Sequence, residues 1–214
     1  MSVDLSHVRK EYRMQILSET EVNMDPILQF EQWLLQAAER EITEPNAMTL
    51  ATSTPDGKPS ARIVLLKEVR KEGFVFFSNY NSKKGIQIEK NPFGCLVFLW
   101  KEMERQVRIE GSIKKISEHE SDEYFATRPL ESQIGAWSSP QSKVIENRDI
   151  LEKNALDFAQ QFESKKIPRP LNWGGYILQP GLIEFWQGRS GRLHDRIQYT
   201  IQQNGSWLIE RLAP

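Results

Sequence analysis

The chain has 214 residues, room for one large domain or two small ones, and a chain of this length buries enough surface for a core without covalent staples. Lys plus Arg number 28 against 29 Asp plus Glu, a net charge of −1, which excludes a protein that holds nucleic acid through bulk positive charge. A single cysteine, Cys95, excludes an intrachain disulfide and suits a reducing compartment. The longest apolar run, Phe93 to Trp100, is too short to span a bilayer, and the polar segment Met1 to Gln15 offers no secretory signal. A cytoplasmic protein without a membrane partner is expected.

Residues 1–24 carry no sustained apolar period and read as a mobile arm, followed by a single domain over 25–214. Asp25-Pro26 predicts a helix start, with Ile27, Phe30, Leu34 and Ala37 or Ala38 on one face to about Glu41. From Asn46 the period becomes two. Strands are predicted at Ala47–Thr54 and Ser60–Val69 about the turn Pro55-Asp56-Gly57-Lys58. Lys71-Glu72-Gly73 turns the chain into a strand from Phe74 to Ser78, and Ser82 caps a short helix that stops before Asn91-Pro92. Phe93 to Trp100 reads as a central strand with Cys95 inert in its core, and Val107, Ile109 and Ile113 mark another.

Ser117-Glu118-His119-Glu120 has the form of a capping box and predicts a helix ending near Arg128-Pro129. A polar loop over 138–145 precedes a long helix from Glu146 to Glu163. After the stiff connector Ile167-Pro168-Arg169-Pro170, strands are predicted at Trp173–Leu178, Leu182–Gln187 and Arg196–Gln202, and Asn204-Gly205 turns the last into Ser206–Arg211. Strands that are mostly consecutive and hairpin-linked favour a mainly β architecture, an antiparallel barrel with peripheral helices.

Several chemistries drop out. His7, His119 and His194 are scattered and one cysteine builds no thiolate site, so no metal is expected. Neither a Gly-x-Gly-x-x-Gly run, a P-loop nor a Gly-x-Ser-x-Gly elbow occurs. What remains is a set of cations and hydroxyls where strands end. Arg62 and Lys67 bracket Ile63 to Leu66, and Ser78, Ser82, Lys83 and Lys84 follow the next strand. Tyr124, Arg128 and Ser132 recur at spacing four, which puts Tyr124 and Arg128 on one helix face. Such a group suits a phosphate monoester, and it is equally what a solvated surface looks like. Arg189, Arg192 and Arg196, with His194 and the planar face of Trp186, form a costly cluster unless an anionic or electron-rich ligand sits there.

These residues resemble the pyridoxamine 5′-phosphate oxidase family. The resemblance is carried by Glu184-Phe185-Trp186-Gln187 through Arg192-Leu193-His194-Asp195-Arg196, by Arg62-Ile63-Val64-Leu65-Leu66-Lys67, by Arg105-Gln106-Val107, by Ser132-Gln133-Ile134-Gly135-Ala136-Trp137 and by Arg211-Leu212-Ala213-Pro214. It runs in order from about residue 9 to the C-terminus. It implies an FMN-binding split β-barrel, a homodimer with each flavin held between subunits, and oxidation of pyridoxamine or pyridoxine 5′-phosphate to pyridoxal 5′-phosphate with O2 reduced to hydrogen peroxide.

By the same resemblance, Arg62 and Lys84 grip the FMN phosphate with Lys83 and Ser78 beside them, next to Phe77. The backbone of Ile63, Val64, Leu65 and Leu66, up to Lys67, runs along the flavin. Gln106, Gln141 and Ser142 hydrogen-bond it, and Trp186 and Arg196 complete the pocket. Lys67, Tyr124, Arg128 and Ser132 hold the substrate phosphate. The catalytic pair, Arg192 and His194, sits on the pyridine ring beside Leu193, and Arg9-Lys10-Glu11-Tyr12 closes over the substrate as a lid. Phe77-Ser78 and Lys83 stand where family members often have Tyr-Thr and Arg; lysine keeps the charge but loses the bidentate fork. The alternatives are another split-barrel FMN-binding protein or flavin reductase, and a β-barrel module for single-stranded nucleic acid, which the net charge disfavours.

Overall fold

The computed structural model describes residues 11–214, so Arg9 and Lys10 of the expected lid lie outside the described residues. Helix α1 spans Pro26–Glu39, and strands β1 to β4 span Ala47–Ser53, Pro59–Leu65, Glu68–Arg70 and Gly73–Asn79. Helix α2 (Lys83–Lys90) leads to β5 (Phe93–Trp100) and β6 (Arg105–Lys115). Helices α3 (Glu118–Thr127), α4 (Leu130–Ser138) and α5 (Asp149–Gln161) precede β7 (Trp173–Gln187), β8 (Asp195–Ile201) and β9 (Trp207–Arg211). The strands follow the order β2-β1-β5-β6-β7-β4-β3, with β8 beside β7 and β9 beside β8. The pairings β3–β4, β4–β7, β7–β8 and β8–β9 are all antiparallel. No helix among the described residues is long and apolar enough to cross a membrane.

Contacts divide the chain into two units. One comprises 11–49, Leu96–Glu110 and Pro180–Pro214; the other comprises Leu50–Cys95 and Gly111–Gln179. In the first, the Asp25 carboxylate accepts from the Ile27 N–H at 2.8 Å and Pro26 occupies the first turn, so α1 begins where the sequence places it. Its buried face is Ile27, Phe30, Trp33 and Ala37, with Trp33 in place of the expected Leu34. Phe30 meets Phe98 at 4.9 Å and Trp33 meets Phe185 at 5.1 Å, and each such burial contributes about 1.5–3 kcal/mol.

The stretch 11–24 has no regular secondary structure, yet it is tied down. The Arg13 and Met14 N–H groups donate to Glu104 Oε2, the Leu17 N–H donates to Asp195 Oδ2, and Leu17 and Val22 are buried. Tyr12 lies against Gly188, where an added Cβ would come within 2.7 Å of the Tyr12 ring and 3.0 Å of Glu104 Cβ. Gly188→Ala is therefore expected to displace Tyr12 and loosen the arm, read as severalfold faster tryptic cleavage after Arg13. Unchanged cleavage would show that the arm is held elsewhere.

In the second unit, α3 begins on the expected capping box: Ser117 Oγ accepts from the Glu120 N–H at 3.2 Å, and Glu120 Oε2 from the Ser117 N–H at 3.0 Å. Phe125, Ile167 and Trp173 form a core cluster under it.

Five further expectations change. The strand expected at Ser60–Val69 is two, because the chain leaves β2 at Leu65 and Glu68–Arg70 instead pairs with β4. Trp173–Leu178 and Leu182–Gln187 are one strand, β7, whose first part pairs with β4 and whose second pairs with β8 across an unbroken Gln179-Pro180-Gly181. Helix α4 was not expected. Arg128 is not on a helix face: the following Pro129 disfavours helical geometry, and Arg128 is extended at φ −70°, ψ 147°. Cys95 is half-buried rather than core, since β5 buries only Leu96, Phe98 and Trp100 and exposes Phe93 and Leu99.

Candidate active site

The second unit holds a cavity of about 620 Å³ where β2, β4, α2, α3, α4 and the start of β7 meet. Its wall includes Lys67, Lys84 and Arg128 and the hydroxyls of Ser78, Tyr124 and Ser132, and no carboxylate among the described residues. Ile63, Val64, Leu65, Phe77 and Gln141 complete the expected members of that wall. Residues expected to hold the flavin and residues expected to hold the substrate phosphate thus line one chamber. Leu66 is buried, Lys83 and Ser142 are exposed, and none of the three lines it.

Arg62 also stands off the wall. Its Nη1 donates to Leu50 O and Thr52 Oγ1, and its Nη2 donates to Ser60 Oγ, all neutral acceptors. Burial pushes its pKa down. Lys84 is 8% exposed at the N-terminal turn of α2, where the helix dipole disfavours a cation. Its Nζ reaches Gln141 Oε1 at 3.2 Å and Ser82 Oγ at 3.5 Å. Desolvation lowers its pKa, and the nearby charge of Arg62 lowers it further.

Arg128 is the sharpest feature. Its Nη1 is buried with no hydrogen-bond partner among the described residues, and desolvation lowers its pKa. An orphaned guanidinium nitrogen in a cation-lined chamber that shows no carboxylate among the described residues has the chemistry an anion would complete. Phosphate groups fit this donor set, and FMN and a phosphorylated substrate both carry one. Trp173, Thr127 and Asn79 also line the chamber; only Trp173 had a signal, its place at the head of an apolar strand.

The remaining expected residues lie in the first unit. Tyr12, Trp186 and His194 form a ring cluster, with centroids 5.7 Å apart for Tyr12–Trp186, 5.8 Å for Tyr12–His194 and 4.7 Å for Trp186–His194. The Arg189 N–H donates to His194 Nδ1 at 3.1 Å, so the neutral ring carries its proton on Nε2. Arg192 and Leu193 are exposed at the end of a short turn, Ser190–Arg192, in which Gly191 (φ +66°) and Arg192 (φ +62°) are both left-handed. That conformation costs a non-glycine residue about 1–2 kcal/mol. Gln106 is half-buried on β6, and Glu11 is exposed beside Arg13.

The arginine cluster needs less from a ligand than its sequence implies. Arg196 donates twice to Glu184, from Nε at 2.8 Å and Nη2 at 3.1 Å, and its Nη1 donates to Ala213 O. Arg108 also donates to Glu184, and Arg189 pairs with Asp195 at 3.0 Å. Only Arg192 of the three lacks an ion pair among the described residues. Burial raises the Glu184 pKa, but hydrogen bonds from Arg196 and Arg108 outweigh it, and the net shift is downward. A depressed folded-state pKa gives stability that is present above the ordinary 4.5 and lost as pH falls below it. Glu184→Gln is expected to cost roughly 3 kcal/mol at pH 7 and to flatten the acid limb of the Tm–pH curve. An acid limb unchanged in the variant would place that linkage on another carboxylate.

An antiparallel, strand-dominated sheet with helices around it defines a class, and solved structures share that fold. PhzG from Burkholderia lata 383, in complex with tetrahydrophenazine-1-carboxylic acid, is 28% identical with a TM-score of 0.88, covering 94% of this chain and 99% of that one. A pyridoxamine 5′-phosphate oxidase-related, FMN binding protein from Nostoc punctiforme superposes at 0.72 with 17% identity, covering 90% and 100%. The fold is that of the FMN-binding split barrels, as the sequence reading expected.

A family model described as pyridoxamine 5′-phosphate oxidase matches residues 34–162, and one described as the pyridoxine 5′-phosphate oxidase C-terminal dimerisation region matches 173–214. Curated pyridoxine/pyridoxamine 5′-phosphate oxidases from Cyanothece sp. and Nostoc punctiforme are 55% and 54% identical over all of both chains. One from Cupriavidus necator is 51% identical over 98% of this chain and 99% of its own. The chain belongs to the pyridoxamine 5′-phosphate oxidase family, and it is an oxidoreductase.

Proposed function

We propose that the protein oxidises pyridoxamine 5′-phosphate or pyridoxine 5′-phosphate to pyridoxal 5′-phosphate, with FMN as cofactor and O2 as acceptor. The observation that carries this reading is the buried Arg128 Nη1, unpartnered among the described residues, in a chamber to which those residues bring three cations and no carboxylate. When bound, FMN supplies a two-electron acceptor that O2 can reoxidise, releasing hydrogen peroxide. With the alcohol substrate, O2 and alcohol become hydrogen peroxide and aldehyde; with the amine, a water is also consumed and ammonia is released.

The chain's own residues bind and orient. Lys84 and Ser78, with Arg62 behind them, hold the cofactor phosphate, and Gln141 hydrogen-bonds the cofactor. Lys67, Tyr124, Arg128 and Ser132 hold the substrate phosphate, so remote binding energy positions the reacting carbon. His194 presents its Nε2–H as a donor to the pyridine-ring hydroxyl, which is an orienting role, and Arg192 lies on the same ring. Trp186, Arg196 and Gln106 complete the flavin pocket, and Tyr12 belongs to the lid. A homodimer with the flavin between subunits is part of this reading; it is supported by the match to a dimerisation region and by the exposure of Phe93 and Leu99 on β5, 62% and 54%.

The test is anaerobic mixing of the FMN-loaded protein with pyridoxamine 5′-phosphate. Bleaching of the flavin band, with unphosphorylated pyridoxine far less effective at equal concentration, is expected. A flavin band that neither compound bleaches would favour a flavin-binding protein with another substrate.

A further inference from the structure

We propose that Trp173 is a positioning residue for the substrate-phosphate arginine: its indole face holds the Arg128 guanidinium in place without cancelling its charge. This rests on reading the chamber as a phosphate-monoester site. Pro129 puts Arg128 in extended backbone past the end of α3, so no helical turn supports its side chain. No carboxylate pairs with it among the described residues. What meets the guanidinium is aromatic: its Cζ lies 4.6 Å from the Trp173 centroid and 5.5 Å from that of Phe125. A π face attracts a cation through its quadrupole and carries no net charge. A carboxylate in the same place would hold the arginine more tightly but would present an incoming dianion with a neutral pair.

Trp173 is itself immobilised. It is 7% exposed and packs with Phe125 and Ile167. Its N–H donates to Pro170 O at 3.0 Å, and its carbonyl accepts from Arg169 Nη1 at 2.6 Å. Arg169 Nε in turn pairs with Asp122. The Trp173 ring lies within 3° of the Tyr124 plane at 6.2 Å, and Phe77 stacks on Tyr124 at 3.8 Å and on Trp173 at 5.5 Å. One fixed aromatic surface thus sets both Tyr124 and Arg128. This aromatic shelf, and no ion pair, orients the phosphate grip.

The test uses FMN-loaded Trp173→Leu and Trp173→Phe proteins. It reads KM and kcat for pyridoxamine 5′-phosphate, kcat/KM for unphosphorylated pyridoxamine, and equilibrium binding of pyridoxal 5′-phosphate. Trp173→Leu should raise KM and the pyridoxal 5′-phosphate Kd about tenfold, leave kcat within about twofold, and leave the unphosphorylated amine unaffected. Trp173→Phe, which retains a π face, should recover most of the loss. In an Arg128→Ala background, Trp173→Leu should add nothing further. Should the leucine variant fail to fold, Trp173→Met removes the π face with an adaptable side chain and is held to the same outcomes. Wild-type KM in the folded variant, a phenylalanine variant as impaired as leucine, or equal losses for phosphorylated and unphosphorylated amines would each overturn the proposal. A wild-type protein that does not discriminate the two amines would instead overturn the reading of the chamber.

Discussion

Arg128→Ala is expected to raise KM for pyridoxamine 5′-phosphate by roughly 100-fold while FMN stays bound and kcat/KM for unphosphorylated pyridoxine is unchanged. Hydrogen bonds to a charged group contribute about 1.5–3 kcal/mol each, and every 1.4 kcal/mol is tenfold, so losing a two-pronged guanidinium contact reaches that range. The direction follows from the environment. Arg128 is desolvated, lacks a carboxylate partner and keeps Nη1 unbonded, so its donors are committed to no protein acceptor that a phosphate would have to displace. Steady-state kinetics on both substrates, with the flavin-to-protein absorbance ratio, checks it. A parallel fall in activity toward both substrates would mean that the variant has disturbed the chamber instead of removing a phosphate ligand.

Lys84→Met should act on the cofactor and not on the substrate. Lys84 is buried at the positive end of α2, near Arg62, with Gln141 and Ser82 as its polar partners among the described residues. Without an anion its charge opposes burial, the helix dipole and a second cation at once. Removing the charge is expected to weaken FMN binding by roughly 10- to 100-fold while the Tm of the flavin-free protein stays level or rises. The opposite signs make the experiment decisive. If the flavin-free variant melts well below wild type, Lys84 is a structural residue, and if its FMN titration is unaltered it is not a cofactor ligand.

The elements that local chemistry specifies stand where the sequence puts them. Asp25-Pro26 starts α1, and Ser117 with Glu120 builds the capping box of α3. The period-two stretch after Asn46 becomes β1, and the strands predicted from Phe74, Phe93 and Arg196 become β4, β5 and β8, because a cap or a short apolar run between turns is decided by residues a few positions apart. The chemistry-bearing positions became legible through the family's motifs. Spacing alone left Lys67, Tyr124, Arg128 and Ser132 as surface residues or a phosphate site, and it set Arg128 on a helix it does not join.

Tertiary structure decided the rest. Whether an arginine is free or spoken for depends on a partner 76 positions away for Arg108 and 12 for Arg196, both meeting Glu184. Whether Cys95 is core depends on which face of β5 is covered, and an all-apolar strand carries no alternation to reveal it. Helix α4 escaped because its nine residues carry too weak an apolar stripe to stand out from a loop, and packing against its neighbours supplies what the stripe lacks. Periodicity and capping are short-range and can be read along a chain. Desolvation, ion pairing and ring stacking are fixed by what folding brings opposite, and those decide that Arg128 waits unpaired while Arg196 does not.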